Sequence, residues 1–96
     1  MDPIERLSQL SDAFDQRAEK CKAYLADGLA AMILTPTKEM IEIHNEMSKI
    51  TEAIVPHAPS RLNATLTQTL DINRDGLRQL IEILGEHAPF SMKDVR

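Results

Sequence analysis

Leu66, Leu70, Asn73, Leu77, Leu80 and Leu84 fall four, three, four, three and four residues apart. That interval follows the 3.6-residue turn of an α-helix and lines one face with apolar side chains. Two earlier stretches repeat the pattern. Leu7, Leu10, Phe14, Cys21 and Tyr24 form one stripe, with Arg17 as its single charged member, and Met40, Ile43, Met47, Ile50 and Ile54 form another. Three such stripes predict an all-α chain: a three-helix antiparallel bundle, or a long helical hairpin with a third helix, that also self-associates. Three glycines leave few sites for the tight turns of an all-β fold, and a core this poor in aromatics must be built from Leu, Ile, Met and Ala.

The punctuation gives the boundaries. Asp2-Pro3-Ile4-Glu5 reads as a helix start, with Asp2 as cap, Pro3 in the first turn and Glu5 positioned to reach back. The apolar run Leu29 to Leu34 after Gly28 predicts a helix over 3–34, which would be ~48 Å long. Thr35-Pro36 is expected to cap and open a second helix over 36–55, which Pro56 and Pro59 end. Ser60 is the expected cap of a third helix over 60–87, bounded by Gly85 and Pro89. Residues 88–96 are expected to fray, and 1–96 reads as a single helical domain. In the seam, the stem of Arg17 is expected to lie along the stripe with its guanidinium at the edge.

Asp71-Ile72-Asn73-Arg74-Asp75-Gly76, with Glu82 at the twelfth position, satisfies a calcium-loop spacing. Such a loop wraps oxygens from positions 1, 3, 5 and 12 around the ion while glycine at 6 permits the turn. These twelve residues resemble an EF-hand loop, which implies Asp71, Asn73, Asp75 and Glu82 as calcium ligands. Two features depart from the family. Arg78 stands where an aliphatic residue pairs with a partner loop, and no second loop exists in the chain. The leucine stripe also runs through the segment in helical phase, which favours a helix over a loop.

Other chemistry finds little support. The carboxylate pairs Asp15/Glu19, Glu42/Glu46 and Glu82/Glu86 lack the Glu-x-x-His partners of a bundle metal site and read as solvated faces. His44, His57 and His87 are scattered, and His44 borders an apolar face. Cys21 in the first stripe reads as a small buried thiol, and a lone cysteine fits a reducing, cytoplasmic compartment. There is no glycine-rich phosphate loop and no nucleophile elbow. Neither a cofactor, a resident metal nor enzymatic activity is expected. The net charge of −4 comes from interspersed charges, which disfavours nucleic acid, and no apolar run is long enough for a membrane.

The reading that remains is a non-enzymatic helical protein–protein interaction module: an adaptor, an assembly or secretion chaperone, or a small regulator or inhibitor. Its partner would be a second copy, as a homodimer, or another protein. A 32-residue helix cannot be covered by a 20-residue one, so apolar surface should remain near Ala30 to Leu34 and at one end of the third helix. The candidate interface residues are Ala31, Met32, Leu34, Met40, Ile43, Met47, Ile50, Asn73 and Leu77. Met32, Met40 and Met47 supply adaptable thioether chains, and Asn73 is the polar seam residue that could fix register. Two alternatives stay open: calcium binding at 71–82, and a DNA-binding regulator using Arg61, Arg74 and Arg78.

Overall fold

The computed structural model describes residues 2–96. Three helices pack side by side: α1 (Pro3–Ala26), α2 (Leu34–Ile54) and α3 (Ser60–Leu84). Short 3-10 turns join and follow them at Ala30–Ile33, Val55–His57, Gly85–His87 and Met92–Asp94, and no strand occurs among the described residues. The architecture is an all-α three-helix bundle 44 Å long and 23 by 21 Å across.

Helix α1 begins as its sequence dictates. Asp2 accepts from the Ile4 amide at 3.1 Å, and Pro3 occupies the first turn, where its missing N–H costs nothing. It ends eight residues earlier than the apolar run suggests. Gly28 adopts φ +73°, the left-handed region open to glycine. The Leu29 amide then donates to the Tyr24 carbonyl at 2.8 Å and the Gly28 amide to Leu25 at 3.1 Å. This left-handed cap satisfies the terminal carbonyls and turns the chain. The three helices consequently have 24, 21 and 25 residues rather than one 32-residue rod, while apolar surface does remain near the expected place, at the exposed Leu29 to Met32.

Helix α2 starts at Leu34, before Pro36, which sits in its first turn. Thr35 does not cap it: the preceding 3-10 turn runs directly into the helix, and no side chain fills that role. Ser60 does not cap α3 either. Pro59 holds the cap position and its carbonyl receives the Asn63 amide at 3.0 Å. The Asn63 side chain secures the corner by donating to the carbonyls of Val55 and Ala58 at 3.2 and 3.4 Å.

Packing is centred on α2. Met40, Ile41, His44, Met47, Ser48 and Thr51 are all buried, an arc wider than one stripe, because α2 is covered on two sides. One apolar cluster gathers Phe14, Cys21, Ile33, Met40, Ile41, Leu77 and Leu84, and a second joins Leu7, Leu10 and Met47. Two hydroxyls in the core find local or nearby contacts. The Thr51 hydroxyl donates to the Met47 carbonyl at 2.8 Å, and Thr37 lies 3.8 Å from the Cys21 sulfur. Burial pushes the Cys21 thiol pKa up, although the Thr37 contact works against it, so the group stays protonated and inert at neutral pH. Two ion pairs staple the outer edge of α1 to α2, Arg6–Glu46 at 2.7 Å and Arg17–Glu39 at 3.3 Å. Arg17 takes the position anticipated for it, half-buried in the seam with its guanidinium at the edge.

Residues 88–96 do not fray. Ala88, Phe90 and Val95 pack against the larger cluster. Ser91 caps the turn Met92–Asp94 reciprocally: its hydroxyl accepts from Lys93, and its amide donates to Asp94 at 2.9 Å. Asn45 donates to the Asp94 carbonyl at 2.8 Å and accepts from the Arg96 amide at 2.9 Å. The Arg96 guanidinium reaches both Glu52 oxygens at 3.0 and 3.1 Å. The segment behaves as a fourth layer over α2 and α3.

Candidate protein-binding groove

The calcium-loop spacing is not realised as a loop. Residues 71–82 are helical throughout. Asn73 turns inward and donates to the Met47 thioether at 3.8 Å, while Asp71, Asp75 and Glu82 sit on the outer side. At 1.5 Å per residue, Glu82 lies roughly 10 Å along the axis from Asp75, beyond any shared ion. Each of the first two acids has an arginine neighbour, Arg74 at 3.7 Å and Arg78 at 2.9 Å. Among the described residues no three acidic, histidine or cysteine side chains come together as a metal site. The same pairs occupy two of the three arginines of the basic cluster. Arg74 is further committed to the main-chain oxygen of Arg96. Arg61 is exposed.

The candidate interface residues separate into three groups. Met40, Met47, Asn73 and Leu77 are buried within the chain's own core. Leu34, Ile43 and Ile50 are half-buried. Ala31 and Met32 are exposed, Met32 by 51%, beside Leu29 at 49%. The spacing that nominated the methionines is the same for a core face and a docking face, which is why the two could not be told apart.

What the stripes did not disclose is an open channel. Helices α1 and α3 each pack on α2 but hardly approach each other. Between them runs a groove whose floor is Phe14, Cys21 and Met40 and whose walls include Ala18 and Leu25 on α1 and Ile72, Gly76, Leu80 and Ile83 on α3. Its central part holds about 370 Å³. It continues toward one end between Ile4, Ser8 and Ser11 and the residues Leu62, Leu66 and Thr69. At the other end it reaches Ala30, Ala31 and Leu34 opposite Ile83 and His87. Ile72 is 63% exposed and Ile83 48%. Asp15 and Lys22 are the charged residues of the central part. Among the described residues no ion pair joins α1 to α3, unlike the stapled α1–α2 edge.

Ile72 was missed because the α3 face was read through the leucines, with Ile81 and Ile83 beside them. A second three–four series, Thr69, Ile72, Gly76, Gln79 and Ile83, runs beside it and carries the signal.

Among the described residues no helix is long and apolar enough to cross a membrane. No protein-family model, no curated protein and no solved structure matches this chain.

Proposed function

We propose that this chain is a non-enzymatic protein–protein interaction module of the adaptor, assembly or secretion chaperone, or small-regulator kind, and that the α1–α3 groove is where it binds. The observation that carries this reading is the pair of exposed isoleucines, Ile72 and Ile83, on the wall of a continuous groove with an apolar floor. Exposed branched side chains lose the free energy of burial, ~1.5–3 kcal/mol for a full transfer from water, and a groove-shaped apolar surface restores it to a partner. An amphipathic helix is the natural occupant, because a groove between two helices presents the same ridges that a third helix interlocks with.

The test places a photo-reactive amino acid at Ile72 and, as control, at the outward-facing Lys49 on α2. Irradiation in the native host is expected to give protein adducts from position 72 and none from position 49. Equal labelling at both sites, or no adduct at 72, refutes the reading.

A further inference from the structure

The two walls of the groove share one midpoint. On α1 the wall positions Ser11, Asp15, Ala18, Lys22 and Leu25 lie four, three, four and three apart. On α3, Thr69, Ile72, Gly76, Gln79 and Ile83 lie three, four, three and four apart. Each series is a single helical stripe. Ser11 and Thr69 line the same stretch of groove, and Ala18 and Gly76 line the next from opposite sides. The two helices therefore run parallel and level, with Ala18 and Gly76 at the centres of their stripes.

A two-fold axis that crosses the groove at this level, perpendicular to the helices, would lay α1 antiparallel on α1 of a second copy and α3 on α3. Antiparallel pairing about position 18 sets Asp15 of each copy within one residue, ~1.5 Å along the axis, of Lys22 of the other, twice. On α3 the same axis sets Ile72 against Gln79, Thr69 against Ile83, and Gly76 against itself. Gly76 faces itself across the axis, and a Cβ there would meet nothing in its own chain, so that space is open to a neighbour. The other two-fold, parallel to the helices, faces α1 with α3. It sets Asp15 level with Ile72 and Lys22 level with Gln79, so neither charge finds its opposite.

Asp15 has no ionic partner among the described residues. Lys22 pairs with Glu19 of its own helix at 3.3 Å on the exposed surface, so in the dimer its ammonium would be shared between Glu19 and Asp15 of the other copy.

We infer that the α1–α3 groove is closed by a second copy of this chain, in an antiparallel two-fold dimer registered by reciprocal Asp15–Lys22 pairs. This deepens the reading of the groove as a protein-binding surface and rests on it.

Light scattering on the purified full chain across the micromolar range is expected to give twice the 10.8 kDa mass. Asp15→Lys and Lys22→Asp each bring like charges together at two places. Each should weaken the dimer by about tenfold or more with unchanged helical content, since both side chains are exposed. The combined charge swap restores opposite signs and should recover the dimer to within about threefold of the original. A monomer at every concentration overturns the inference. So does a dimer that neither single substitution weakens, or a double variant no stronger than the singles. If the chain is monomeric but position 72 still captures other proteins in the host, the dimer fails and the binding-surface reading stands. A monomer without adducts ends both.

Discussion

At position 44 a histidine is fully buried at the junction of α2, α3 and the C-terminal segment. Its Nε2 lies 3.1 Å from the main-chain oxygen of Arg96, and its Nδ1 is buried without a partner. A neutral ring protonated at Nε2 donates that one bond. A second proton would bury an N–H at Nδ1 with no acceptor. Burial therefore holds the imidazole below its ordinary value of 6.5; the Arg96 bond partly opposes this, and the nearby Arg74 cation adds to it. The sign for stability follows. In the unfolded chain the ring takes its proton near 6.5, in the folded chain only at lower pH. The unfolded state thus binds more protons in that window, and stability is complete above 6.5 and declines as pH falls through it. Urea midpoints measured from about pH 7.5 down to about 5.5 should fall for the natural chain and stay flatter for His44→Gln. An identical slope in both would refute this account of His44. From sequence, His44 was legible as a residue beside an apolar face. Its partner was not, because Arg96 lies 52 residues away and no local pattern links the two. Met40 and Met47 show the same limit, since helical spacing marks a face without saying what covers it.

Two glycines decide much at the level of the helices, and they act in opposite directions. Gly28 holds φ +73° and ends α1. Gly76 is helical, with open space where a Cβ would stand. Gly28→Ala forces a β-carbon into the left-handed region and should lower folding stability by roughly 1–2 kcal/mol. Gly76→Ala removes backbone freedom from the unfolded chain at no steric cost and should raise it by up to about 1 kcal/mol. Denaturant unfolding at concentrations low enough to keep the chain monomeric reads both, and equal signs would refute this account of α1 and α3. The helices themselves were legible because stripe, cap and proline agree in sequence: Asp2-Pro3 opens α1, Pro56 follows α2 closely and Gly85 ends α3. The end of α1 was not, because Leu29 to Leu34 is apolar on all sides and its periodicity cannot separate a continued helix from a buried turn. The left-handed glycine, a choice of one φ angle, outweighed six apolar residues. In the third helix the competition went the other way: the leucine phase through Leu70, Leu77 and Leu80 prevailed over a calcium-loop spacing that had no partner loop to pair with.

For the molecule as a whole, the three grooves of the bundle differ in how far the chain covers them. The α1–α2 groove is closed by direct packing and two ion pairs. The α2–α3 groove is closed by the C-terminal segment, which lays Phe90 and Val95 on the core and ties Arg96 to His44, Asn45, Glu52 and Arg74. The α1–α3 groove has no such cover within the chain. This asymmetry was invisible in the sequence because residues 88–96 carry no stripe: one aromatic and one valine separated by polar residues read as a loose end. What orders them is a set of single contacts to side chains 22 to 52 positions earlier, and composition does not encode those. It follows that the segment is part of the folded unit and should contribute to its stability as a core element does. Phe90→Ala removes a half-buried ring from the larger cluster and should cost about 2 kcal/mol, less than the ~3–5 kcal/mol of a fully buried phenylalanine. The loss should appear as a lower denaturant midpoint with the transition still single. A variant that unfolds at the natural midpoint would mean the segment rests on the bundle without supporting it. Adducts at Ile72 should be unaffected by this change, since Phe90 lies over Ile41 and Glu42, away from the α1–α3 groove. The side that the chain closes for itself and the side it leaves open are then separable by one substitution and two measurements.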